Sequence, residues 1–128
     1  MLPQPHRLRM AADFRAVMRF GVRAGRASVV VHARAFPPSV DRTTGPRFGL
    51  VVSKAVGNSV QRHRMSRRLR HICADLLLPE YEDIDFVVRA LPPALAADHP
   101  RLRSEVLEAG CRAAEKAHRR LNESSDNG

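Results

Sequence analysis

Hydrophobic positions along this chain switch between a helical and a strand period. In residues 11–20, Phe14, Val17 and Met18 share a face by three- and four-residue steps, which predicts a short helix ending before Gly21, with Phe20 offset. Residues 27–36 are β-branched and then alternate, predicting a strand with His32 and Arg34 on one face. Pro37 to Pro46 reads as a Pro/Gly/Thr loop, and residues 47–54 as a second strand that could pair with the first. The helical period then returns. At steps of about 100°, Met65, Leu69, Ile72, Cys73 and Leu76 form one stripe, and Pro79 stops the helix near Leu78. Ile84 to Ala90 reads as a third strand, with Asp85 and Arg89 off its apolar face and Pro92-Pro93 behind it. Residues 101–121 predict a last helix. Its stripe is Leu102, Val106, Ala109 or Gly110, Ala113, Ala117 and Leu121, small enough to imply close packing.

The order helix, strand, strand, helix, strand, helix is that of an α+β protein, a two-layer α/β sandwich (αββαβα) with room for an extra short strand. One sheet face packs on helices and the other is expected to be partly open. Residues 1–128 read as a single domain. Residues 1–10 are polar and basic with Pro3 and Pro5, which suggests an extended arm. Flexible ends are expected over 1–6 and 122–128.

The polar side of the second helix changes the picture. An apolar strand hands over to it through Gly57-Asn58, where Gly57 allows an unusual backbone angle and Asn58 is a good N-cap. Opposite the apolar stripe lie His63, Arg64, Arg67, Arg68, Arg70 and His71. Arg62 lies nearer the stripe but in the first turn, where it can swing outward. Between Asp41 and Asp75 there is no acidic residue. A solvated helix normally mixes signs, because like charges four apart cost a few tenths of a kcal/mol. A polyanion relieves that repulsion, and a guanidinium fork can take two phosphate oxygens at once. A merely solvated basic face is the alternative.

Composition points the same way. The net charge is +9 with a pI near 11.3. Residues 1–74 hold 15 Lys/Arg against 2 Asp/Glu, while residues 75–128 hold 7 against 11, so the binding surface belongs to the first half. Cys73 and Cys111 lack metal-site spacing and read as small buried thiols in a reduced, cytoplasmic protein. No stretch is apolar enough to span a membrane, and the N-terminus has no signal-peptide core. Independent catalysis has little support, since no HExxH, GxxxxGK[ST] or GxSxG occurs. Asp83 and Asp85 form a loose acidic pair that could hold Mg²⁺, but in the acidic half. His32, His63 and His71 could do acid–base work, though two of them sit among arginines.

At residues 53–71 a family resemblance emerges. Val52-Ser53-Lys54, Gly57-Asn58, Val60, Arg62-x-Arg64 and Arg67-Arg68 with Arg70 resemble the arginine-rich signature of the bacterial ribonuclease P protein subunit. Arg7-Leu8-Arg9 with Asp13-Phe14, Gly21, Arg47-x-Gly49-Leu50, and Asp85 with Arg89 are similar in the same order, covering roughly residues 7–121. The chain departs at Ala55, Ser59, His63 and Ser66, where the family usually has lysine, alanine, asparagine and lysine.

The resemblance implies a left-handed βαβ crossover, an arrangement also known from the second domain of a small-subunit ribosomal protein. It implies a protein that joins a catalytic RNA to remove the 5′ leader of precursor tRNA, as a monomer in a 1:1 complex. Mg²⁺ is then held mainly by the RNA and none tightly by the protein. Lys54, Asn58, Arg62, His63, Arg64, Arg67, Arg68 and Arg70 would contact the catalytic RNA, and Phe14, Met18, His32 and Arg34 the leader. Three other classes compete: a ribosomal-RNA-binding structural protein, a DNA-binding helix protein and a self-sufficient nuclease.

Overall fold

A computed structural model of the chain describes residues 2–42 and 44–126; the outermost parts of the expected flexible ends, residue 1 and residues 127–128, lie outside these. The elements in order are α1 (Ala11–Phe20), β1 (Val22–Gly25), β2 (Val29–Ala35), β3 (Arg47–Val51), α2 (Ser59–Cys73), β4 (Ile84–Ala90) and α3 (His99–Asp126). The room left for an extra short strand is taken by β1. The strands lie in the order β1-β2-β4-β3, with β3 and β4 parallel and the other pairs antiparallel.

This order corrects one expectation. The second predicted strand, β3, does not pair with β2. The connection β3–α2–β4 makes β3 and β4 parallel neighbours, and β4 takes the place between β2 and β3. Five of the seven β4 residues run as an unbroken buried series, as a central strand covered on both faces requires.

Register assigns each strand residue to a face. Val29, Val31 and Ala33 of β2 lie with Ile84, Phe86, Val88 and Ala90 of β4 and Phe48 of β3. They form the main core against Met65, Leu69, Ile72 and Cys73 of α2 and Leu102, Val106, Ala109, Ala113 and Ala117 of α3. Burial of each large side chain contributes about 1.5–3 kcal/mol. Phe48 and Phe86 also stack across the parallel pair, with centroids 5.0 Å apart. Small residues on α3 bring it close: a Cβ on Gly110 would stand 2.8 Å from Leu76 Cδ1. The opposite sheet face carries Arg23, His32, Arg34, Asp85, Val87, Arg89, Arg47 and Gly49. There α1 covers only the middle, where Val17, Val87 and Leu8 form a second small core with Phe14 and Val51.

Other local expectations are revised. The arm is tied down: Leu2 is buried in the main core, Gln4–His6 form a 3-10 turn, and Leu8 N–H donates to Phe48 O at 2.9 Å. An apolar residue near a chain end finds core space that polarity alone does not reveal. Helix α3 is longer than residues 101–121. It starts early because Asp98 Oδ1 accepts the Arg101 N–H at 2.9 Å and Pro100 fits a first turn. Its polar end stays helical to Asp126, since adding residues to a formed helix costs little. Gly57 has no positive φ. Its bareness makes room instead, because a Cβ there would stand 2.5 Å from Gln61 Oε1. Cys73 is buried and its thiol is pushed up to about 12 by desolvation, whereas Cys111, one step off the α3 stripe, is exposed.

Candidate nucleic-acid interface

The start of α2 is set by a reciprocal cap. Asn58 Oδ1 accepts the Gln61 N–H at 2.8 Å, and Gln61 Oε1 accepts the Asn58 N–H at 2.9 Å. Asn58 therefore builds the helix, and its carboxamide oxygen is already committed. With the start fixed and Met65, Leu69 and Ile72 buried, the remaining positions turn outward. Lys54, His63, Arg64 and Arg67 are exposed, and Arg68 and Arg70 half-buried.

None of these basic side chains meets a carboxylate among the described residues. The carboxylates pair elsewhere: Asp85 with Arg42 and Arg47, Asp75 with Arg103, Glu105 with Arg101, Glu108 with Arg26, Glu115 with Arg112 and Arg119. Arg68 instead donates to the Ala97 carbonyl at 3.1 Å. Arg62 does not swing fully outward. Its Nε is buried without a hydrogen-bond partner. Arg62 lies beside the apolar stripe, so its stem packs inward.

A second basic region lies on the outer sheet face beside α1. Met18, Gly21, Val22, Arg23, His32, Lys116 and Arg120 line a cavity of about 440 Å³. Lys116 Nζ donates to Arg23 O at 3.0 Å, and Arg120 Nη1 to Phe20 O and Gly21 O at 3.1 Å each, so α3 reaches around the β1 edge. His32 is 6% exposed and its Nε2 has no partner. Burial lowers its pKa, and the nearby Arg89 and Arg23 lower it further. The Arg89 Nε is also buried and unpartnered. Unsatisfied buried nitrogens are costly, and a ligand oxygen would satisfy them.

The four residues expected at one strand-binding cleft are thus divided. Met18 and His32 share the cavity. Phe14 packs on Gly49 beside Val17 and Val87. Arg34 lies between two rings, 5.4 Å from the centroid of Phe20 and 4.7 Å from that of Phe36. Arg23, Lys116 and Arg120 carry no sequence signal for this region, and Arg89 is marked by the sequence only as part of the last strand, not as a site residue. Strand alternation placed Arg89 off the apolar face, but pairing it near His32 needs the β2–β4 register. Nothing local marks Lys116 or Arg120, which arrive from the far end of the chain.

The loose acidic pair separates. Asp85 is 2% exposed, accepting from Arg47 Nη2 at 2.6 Å and pairing with Arg42 Nη2 at 3.1 Å. Asp83 meets His118 Nε2 of α3 at 2.9 Å. The two carboxylates serve different partners on different layers. Among the described residues no helix is long and apolar enough to cross a membrane.

Comparison with known proteins fits this geometry. The family model described as Ribonuclease P matches residues 2–114. The chain is 53% identical over 108 residues to the ribonuclease P protein component of Rhodococcus opacus (strain B4), covering 83% of this chain and 86% of that protein. It is 50% identical over 108 residues to the protein of the same description from Corynebacterium diphtheriae, covering 83% and 91%. In fold it resembles the ribonuclease P protein of Staphylococcus aureus, with a TM-score of 0.72, 22% identity and 84% and 94% of the two chains covered. For the protein from Thermotoga maritima the TM-score is 0.65 at 23% identity, covering 80% and 92%.

Proposed function

This chain belongs to the ribonuclease P protein family, and from that premise we propose how its two basic surfaces divide the work. It is a protein subunit of the ribonuclease P holoenzyme, a tRNA-processing ribonuclease; the family match does not favour a ribosomal-RNA-binding structural role. The catalytic RNA lies against α2, on Lys54, His63, Arg64, Arg67, Arg68 and Arg70, with Arg62 at its margin. The 5′ leader of precursor tRNA follows the outer sheet face past Met18 and His32. Phe14 and Arg34 shape its two sides. Phosphate contacts of this kind add affinity without reading sequence, which suits leaders of varied sequence.

Chemistry belongs to the RNA in this reading, and Mg²⁺ held there would supply water activation and stabilisation of the leaving oxygen. The support on the protein side is that both carboxylates already have partners in this chain, Asp85 in Arg47 and Asp83 in the His118 ring. The protein acts as one copy per RNA, in the cytoplasm where its substrate is made.

The observation that carries the reading is the α2 face, rich in arginine, without an acidic residue and free of carboxylate partners among the described residues. Reconstitution tests it. The protein alone should leave precursor tRNA intact and should restore cleavage by its cognate RNA at low Mg²⁺. Cleavage by the purified protein, abolished by Asp83→Asn, would reverse the assignment of chemistry to the RNA.

A further inference from the structure

Where α2 passes the turn before α3, Arg64, Arg67, Arg68, Arg70, His71 and His99 line a cavity of about 430 Å³. Every lining side chain is basic. The rings of His71 and His99 stand 6.4 Å apart at 49°, one from the last turn of α2 and the other from the first residue of α3. Arg68 fixes the two walls together through its 3.1 Å bond to Ala97 O. The neighbouring carboxylate, Asp98, is occupied by its own helix, accepting the Arg101 N–H. Bringing four guanidinium groups to one hollow whose lining holds no carboxylate is unfavourable unless an anion fills it. The donors suit a compact anion with several acceptor oxygens, since guanidinium groups and imidazole rings from two helices line the one hollow.

We infer that this hollow holds a backbone phosphate of the partner RNA, so that the RNA-facing surface turns the corner from α2 onto the start of α3. The inference rests on the reading of α2 given above and adds to it a second element, with His71 and His99 as contact residues. An RNA backbone fits better than a free phosphate ion, because Arg64 and Arg67 belong both to the hollow and to the exposed α2 face. A continuous chain of phosphates engages both at once.

The test uses the full-length protein with its cognate RNA subunit. A His71→Ala/His99→Ala double variant should keep its melting temperature, since both rings are exposed. It should bind the RNA about five- to twentyfold more weakly, the loss expected for two hydrogen bonds to a charged group in a screened site. Ethylation interference should show one RNA phosphate whose modification weakens wild-type binding but not that of the double variant. His99→Gln, which keeps a donor, should recover part of the affinity relative to His99→Ala. Unchanged RNA affinity in the double variant, while Arg64→Ala still weakens binding, overturns the inference and leaves the α2 reading standing. Unchanged affinity in Arg64→Ala as well brings down both. If the double variant loses binding of inorganic phosphate alone but keeps full RNA affinity, the hollow is a small-anion site and the inference fails.

Discussion

The ring of Phe14 occupies the space that a side chain at residue 49 would need, for a Cβ built on Gly49 would overlap the ring carbons. The bare backbone of β3 thus lets α1 lie close to the sheet and fixes where the outer face is closed and where it stays open. Two consequences can be separated by mutation. Gly49→Ala should push Phe14 outward and cost about 1–3 kcal/mol in urea unfolding, as overpacking does. Phe14→Ala should weaken holoenzyme binding of precursor tRNA more than that of mature tRNA. Equal losses for the two RNAs would make Phe14 a packing residue alone.

The α2 arginines make a quantitative prediction. Arg64→Ala and Arg67→Ala should each weaken binding to the catalytic RNA. Each should also lower the slope of log affinity against log salt by about one unit, the signature of one lost phosphate contact. Binding measured between low and moderate salt decides it, and parallel lines for variant and parent would take that face out of the interface.

Asp85 is a keystone for the outer face. Asp85→Asn leaves Arg42 and Arg47 facing a neutral group. The expected cost is about 3 kcal/mol, at the low end for a broken buried pair because Arg47 keeps 31% of its side chain exposed. At a temperature where the variant is folded, the reconstituted holoenzyme should still cleave. Loss of cleavage with a fully folded variant would give Asp85 a part in the chemistry.

His32 links stability to pH. Its folded pKa is below the ordinary 6.5, so the unfolded chain takes up the proton first as pH falls. The contribution is present above pH 6.5 and is lost as the pH drops through the lower folded value. Urea unfolding from pH 7.5 down to 5 should therefore show a decline that His32→Asn reduces. Identical declines in both proteins would place the effect on other groups.

Spacing along the chain was enough to place all three α-helices, though not their ends: α2 stops at Cys73 rather than near Leu78, and of the α1 stripe Val17 is buried while Met18 stays exposed. Met65, Leu69, Ile72 and Cys73 are inside, and the arginines between them have only the outside left. The sequence also determined the cap at Asn58 and the sign of the α2 surface, since the missing carboxylates are missing locally. The remaining features depend on residues far apart in the chain. Local alternation could not tell β3 that β4 would come between it and β2. No spacing rule brings Arg89 beside His32, Lys116 around the β1 edge, or His99 to face His71. Those pairings are set by strand register and by two helices packing on one sheet, and such contacts exist only once the core has closed.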